Sequence, residues 1–307
     1  MDTVRALGKR LSNWGRWGAD DERGTLNFVT ADVVQRAAGL VRRGQVFSLG
    51  LSFGAEGPQI GQGGRINPLH LMTAVDQRLP GDYPPECRYA DDVMVFPPQC
   101  ATQWDSLAHV HYDGQLYNGF PAATTTYAGA ARNGIDKVGA GVVSRGVVLD
   151  LARAAGVPRL PPGHVISPAD LDGAERAERV RVERGDVLLV RTGHLGVFKS
   201  DGDRVGYMRT MPGLGMACAE WLHRREVAAV AADTNSVEVI PFEDPKTPLP
   251  LHLICLRDMG LTLGEMFDLD ALAEDCAADG IWEFLFCAPP LKITGGVGSP
   301  VNPLAIK

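Results

Sequence analysis

A mixed α/β domain, its sheets covered by helices, is the fold class this sequence predicts, and three observations predict it. Helix-like and strand-like patterns alternate from about residue 140 onward, the arrangement that layers helices over a sheet. Residues 40–130 are instead rich in strand and loop signals. No internal repeat and no low-complexity linker interrupts the 307 residues, which favours one continuous domain over 1–307.

The elements follow in chain order. Thr30 is a suitable N-cap for a helix over 30–42, with Asp32 in its first turn. Residues 46–51 alternate well enough to form a strand. Residues 54–68, rich in Gly and holding Pro58 and Pro68, read as a loop or an irregular hairpin. Buried strands are predicted at 147–150 and 186–191, and between them Ser167-Pro168-Ala169-Asp170 opens a helix with proline in its first turn. A helix over 215–224 leads to a compact apolar strand over 228–233 that ends on the carboxylate of Asp233. Residues 241–250 form a proline-punctuated loop, 252–256 fit either helix or strand, 269–279 form a helix, and 282–288 form a last apolar strand.

Composition narrows the function. Hydrophobic residues at 45% and charged residues at 22% describe a globular chain rather than a disordered or fibrous one. Thirty Lys and Arg against 37 Asp and Glu give a net charge of −7, so no basic face is available to meet a polyanion, and nucleic acid is not an expected partner. The basic cluster His223-Arg224-Arg225 closes a predicted helix, where it complements the dipole. No apolar run approaches the roughly 18 residues a membrane span requires. The first residues lack the apolar core of a secretory signal, and six scattered cysteines form no C-x-x-C pair. A cytoplasmic protein with reduced thiols is the expectation.

The glycine-rich runs do not bind nucleotides. Gly61-Gln62-Gly63-Gly64 lacks the Gly-Lys-Ser/Thr of a phosphate loop, and Gly213-Leu214-Gly215 lacks a third glycine and an acidic ribose partner. Gly295-Gly296-Val297-Gly298 leads into Ser299-Pro300 and not into a helix. Turns or close packing account for all three.

Chemistry is concentrated in residues 99–112, Gln99-Cys100-Ala101-Thr102-Gln103-Trp104-Asp105-Ser106-Leu107-Ala108-His109-Val110-His111-Tyr112. Two amides, a carboxylate, two imidazoles and a thiol sit there among small and aromatic neighbours. A second polar group, His252 and Glu265, lies far along the chain between apolar residues. Carboxylates and imidazoles in apolar surroundings are what general acid–base catalysis needs, because burial and mutual contact move their pKa values toward neutrality. His111 follows His109 by two positions and would share its side in an extended stretch. Trp104 fits either the core or the wall of a small-ligand pocket. Cys100 beside the cluster admits a thiolate nucleophile, although buried cysteines usually pack as small hydrophobes. His70, His164, His194 and His223 have no partners in the sequence and read as structural.

These residues carry a resemblance. The segment is similar to the signature of the cyclase family, whose members include kynurenine formamidase and isatin hydrolase: His-x-Gly-Thr-His-x-Asp-x-Pro-x-His. Over 99–109, Thr102, Asp105 and His109 agree with it, while Gln99 and Gln103 replace two histidines, Ala101 the glycine and Leu107 the proline. The resemblance spans nearly the whole chain. It includes the opening Trp17-Gly18-Ala19-Asp20, the strands around 145–150 and 184–193, Pro250-Leu251-His252, Glu265 and residues 295–303. It implies a single swivelling β/β/α domain with mixed sheets and flanking helices, a small-molecule substrate, and a homo-oligomer.

By position, the resemblance makes His109 the proton carrier, with Asp105, His252 and Glu265 as catalytic residues and as ligands for one divalent ion. Gln99, Gln103, Trp104 and His111 are left to bind substrate. The glutamines offer neutral amide oxygens, which suit Mg²⁺ or Mn²⁺ better than Zn²⁺, so a two-zinc centre is not expected. A weakly held Mn²⁺, Mg²⁺ or Zn²⁺ and a metal-free site are equally open. The activity implied is hydrolysis of a small cyclic or aryl amide or lactone by acid–base catalysis. Two alternatives stand beside it: a metal-independent cyclase or dehydratase acting on a polyketide-like or β-keto substrate, and a non-catalytic small-molecule binder.

Overall fold

A computed structural model describes residues 1–139 and 141–307. Nine strands form one mixed sheet in the order Val46–Ser48, Leu304–Ile306, Glu283–Cys287, Val143–Asp150, Val187–Arg191, Ala229–Ala232, Thr262–Glu265, Gln103–Asp105 and Gly298–Pro300. Val143–Asp150 through Thr262–Glu265 run parallel to one another, and the strands on either side pair antiparallel.

Both faces of the parallel part are covered, which explains why its strands read as unbroken apolar runs. Leu188, Val190, Val147 and Val230 face one core, closed by Leu171, Trp221, Leu222 and Ile254 from helices. Val187, Leu189, Val148 and Ala231 face the other, closed by Phe284, Phe286 and Leu272. The α/β class with flanking helices is therefore as the sequence predicts.

The predicted elements are found with shifted ends. The helix after Thr30 is Ala31–Ala38, with the Thr30 hydroxyl accepting from Val33 N; it stops at Gly39, short of residue 42. Pro168–Glu178 begins with a full capping box, in which Ser167 and Asp170 bond each other's backbone N–H. The helix predicted at 215–224 is Cys218–Arg225, because Gly213–Leu214 instead pairs in parallel with Val165–Ile166. Gly213 tolerates no side chain there: a Cβ would come within 2.3 Å of the Glu238 carbonyl carbon. The ambiguous 252–256 is helical, a turn over Pro250–His252 widening into a π-helical stretch over Leu253–Met259. The strand expected over 46–51 is limited to Val46–Ser48, and the last helix and strand are Asp270–Asp279 and Glu283–Cys287.

Residues 54–68 form a loop with tight turns at 54–57 and at Gln62–Gly64. Beyond it Leu69–Arg78 pairs with Arg88–Val95 in an antiparallel ribbon separate from the main sheet; it falls in the stretch read as rich in strand and loop signals, where the pattern does not bound its strands. The cross-strand pairs Leu69–Val95 and Leu71–Val93 are all exposed on it. No helix among the described residues is long and apolar enough to cross a membrane.

Candidate functional site

Within 99–112 only Gln103–Asp105 is a strand. It lies between Thr262–Glu265 and Gly298–Pro300, with Gln103 opposite Glu265 and Trp104 opposite Gly264. Alternation puts Gln103 and Asp105 on one face and Trp104 on the other. The indole is completely buried in the core, edge-on to Phe267, and its N–H donates to the Ala288 carbonyl at 2.9 Å. Trp104 is thus a packing residue that holds its two neighbours toward the site, and not the pocket wall considered from sequence. Hydrogen bonds fix the same strand at both ends: Thr102 Oγ1 donates to Met266 O at 2.6 Å, and Thr262 Oγ1 donates to Asp105 O at 2.9 Å.

The distant residues meet here. Single donor atoms of Asp105, His252 and Glu265, all buried, lie within 4.8 Å of one another. His252 Nε2 stands 3.3 Å from Glu265 Oε1 and 3.9 Å from Asp105 Oδ2. Gln103 Nε2 donates to Glu265 Oε2 at 2.6 Å, which leaves Gln103 Oε1 buried without a partner. Neither oxygen of Asp105 accepts a hydrogen bond. His109 Nε2 approaches Asp105 Oδ1 at 3.8 Å, and its imidazole is partly open to solvent. A cavity of about 380 Å³ is lined by His109, His252 and Glu265; Asp105 completes the cluster without lining it.

Glu238 was not singled out from sequence. It is buried, and it accepts from Leu251 N at 3.2 Å, from His252 N at 2.9 Å and from the His252 Nδ1–H. This carboxylate fixes the ring so that Nε2 points at Asp105 and Glu265, the arrangement that orients metal-ligating histidines. A lone acidic residue between Val237 and Val239 was the only hint in the sequence.

The electrostatics follow from enclosure. Burial raises the Asp105 pKa and the neighbouring Glu265 adds to this, while His109 and His252 oppose it. Burial works against charge on His252, but the hydrogen bonds to Glu238 and Glu265 outweigh it and bring the imidazole to about 10. Burial pushes the Cys100 thiol up to about 11, which disfavours a thiolate nucleophile there.

The remaining expectations divide. Gln99 is buried next to Gly298 with Nε2 unpartnered, and it does not line the cavity. His111 is exposed and lies outside the cavity lining, because the chain turns after Asp105, with His109 N donating to Ser106 O. Asp233 is structural: its carboxylate accepts from Thr192 N, Thr192 Oγ1 and Gly193 N.

A divalent ion suits the cluster. An enclosed carboxylate with no donor on either oxygen, an orphaned amide oxygen, a second carboxylate and an oriented imidazole nitrogen form an oxygen-rich set. Such a set suits Mn²⁺ or Mg²⁺ better than it suits Zn²⁺.

Comparison with known proteins supplies the context. The family model described as "Putative cyclase" matches residues 47–239. A crystal structure of a novel cyclase superposes with a TM-score of 0.90 at 38% identity, covering 98% of this chain and 99% of that one. Isatin hydrolase A from Ralstonia solanacearum follows at 0.64 and 20%, covering 90% and 96%. Isatin hydrolase A from Labrenzia aggregata, bound to benzyl benzoate, gives 0.62 and 18%, covering 88% and 94%. Comparison with curated proteins gives no match.

Proposed function

The chain belongs to the cyclase family, and from that premise we propose that it is a metal-dependent hydrolase of a small cyclic or aryl amide or lactone. The observation that carries the proposal is Asp105: a fully enclosed carboxylate, unpartnered at both oxygens, facing His252 Nε2 and Glu265. A group so placed needs a proton or a cation beside it; the His252 imidazole stands only at 3.9 Å, and a divalent ion displacing its Nε2 proton would bring a positive charge into direct contact. Chains of the same fold include an isatin hydrolase bound to the product analogue thioisatinate, which supports a small cyclic amide as the substrate class.

Asp105, His252 and Glu265 would hold the ion, with Gln103 Oε1 as a further oxygen ligand. When bound, a divalent ion supplies Lewis-acid polarisation of a carbonyl and lowers the pKa of water. The chain's own residues do the rest. Glu238 holds the His252 ring with Nε2 inward, and Gln103 holds Glu265 by its amide N–H. His109, close to Asp105 and open to the cavity, takes the proton of the attacking water and returns it to the leaving nitrogen or oxygen.

Elemental analysis and a panel of isatin, formanilide and dihydrocoumarin test the proposal. The expected result is one Mn²⁺ or Mg²⁺ per chain, turnover that a chelator abolishes, and loss of both in Asp105→Asn. Turnover unaffected by chelation would make the hydrolysis metal-free, carried by His109 and a carboxylate as an acid–base pair; no turnover and no binding of any of the three would favour the cyclase or dehydratase. Tight binding without turnover would favour the binder.

Location and assembly belong to the same proposal. All six cysteines are unpaired, in keeping with a reducing cytoplasm. A homo-oligomer is expected in solution, which light scattering on the eluting protein checks.

A further inference from the structure

The cavity holds a cation that the hydrolytic machinery does not use. Arg65, half-buried, follows the Gln62–Gly64 turn and lines the same cavity as His109, His252 and Glu265. Its guanidinium forms neither an ion pair nor a side-chain hydrogen bond among the described residues, whereas Arg145, Arg191 and Arg257 each hold a carboxylate. It is near enough for its charge to favour the Asp105 carboxylate.

A second set of unused groups lines the cavity. Ser236 Oγ, Asn235 Oδ1 and Gln59 Oε1 are buried without partners. The Gln59 amide is oriented by its own contacts, because Nε2 donates to Cys100 O at 3.0 Å and leaves the oxygen free. Met208 and Phe242 add apolar surface to the same lining. Arg65 is the one Lys or Arg among the described residues that line the cavity, so an anionic ligand finds its counter-charge there.

We propose that Arg65 is a specificity residue that selects a substrate bearing a carboxylate on an apolar, aromatic body, with a hydrogen-bond donor directed at Asn235, Ser236 and Gln59. A guanidinium fork meets a carboxylate with two parallel N–H···O bonds, a geometry lysine cannot reproduce. The inference rests on the hydrolase reading only for its turnover arm. Its binding arm stands independently.

Two matched pairs test it on the metal-loaded protein: benzoate against benzamide in calorimetric binding, and 2-formamidobenzoate against formanilide in turnover. Arg65→Met is expected to weaken benzoate about 10- to 100-fold. It should lower the preference for 2-formamidobenzoate over formanilide by a similar factor, through KM and not kcat. Arg65→Lys should recover part of the loss. An unchanged melting temperature would show that the fold survives.

Equal benzoate affinity in wild type and Arg65→Met would overturn the inference, as would an equal loss on both formamides. Arg65-dependent benzoate binding without turnover of either formamide would sink the hydrolase reading and leave the anion site standing. Turnover of both formamides indifferent to Arg65 would do the reverse.

Discussion

Asp105, Glu238 and His109 have separate roles at the site, and single substitutions tell them apart. Glu238 touches no substrate in this arrangement; it acts through His252, whose Nδ1–H it accepts. Glu238→Gln keeps the volume and removes the charge that steers the ring. The expected loss of Mn²⁺ affinity is about 10- to 100-fold, the usual consequence of losing a partner that orients a ligand. Manganese titration checks this, and unchanged affinity would make Glu238 merely structural. His109→Asn should act differently. Metal content stays at the wild-type level, and kcat falls by about 10²- to 10⁴-fold, the range general acid–base groups contribute. Loss of metal in that variant would assign His109 to ion binding instead of proton transfer.

At the scale of elements, the pairing of Gln103–Asp105 with Thr262–Glu265 brings residues some 160 positions apart into one cluster. On the opposite face the Trp104 indole packs over Gly264 with no room for a side chain. A Cβ on Gly264 would come within 2.6 Å of Trp104 Cζ3 and 2.7 Å of Ala231 Cβ. Gly264→Ala should therefore destabilise the protein by about 1–3 kcal/mol, the cost of overpacking a filled core, and displace Glu265 next to it. Gly173→Ala is the contrasting case: it lies inside the helix Pro168–Glu178, and its nearest neighbour to a new Cβ is 3.8 Å away. It should stabilise by about 0.5–1 kcal/mol. Urea unfolding of the pair decides both, and similar effects would mean the Trp104 contact is not the constraint. This contact also shows what the sequence could convey. Asp105, His109, His252 and Glu265 were legible because polar groups stood out among apolar neighbours and matched a known frame. Trp104 was ambiguous until its strand partner was known to be a glycine. His111 would share the side of His109 only in an extended stretch, and the turn after Asp105, which carries no glycine or proline to announce it, leaves His111 at the surface. Glu238 and Arg65 carried no local signal, since their importance depends on which distant segment closes over them.

For the molecule as a whole, local patterning was enough to read the alternating helices and strands, since burial on both faces of the parallel sheet leaves an apolar run for each strand. The exposed ribbon Leu69–Arg78 with Arg88–Val95 has no such run to announce it. The same two-sided burial encloses carboxylates, and this sets how stability responds to pH. Glu178 is the clearest case: it accepts from Asp150 N at 2.8 Å, its other oxygen has no partner, and burial pushes its pKa up to about 8. A carboxyl whose folded pKa exceeds its unfolded value of about 4.3 binds more protons in the native state between those two pH values. Its contribution is therefore complete below the unfolded pKa and is lost as pH rises through about 8. Glu178→Gln keeps an acceptor for Asp150 N and cannot ionise. Between pH 6 and pH 9 the wild type should lose about 2–3 kcal/mol relative to this variant, and the difference should level off above pH 9. Paired denaturant melts across that range measure it. A constant difference would show that the Glu178 carboxyl ionises as readily in the folded protein as in the unfolded chain, and that this layer of the molecule admits water.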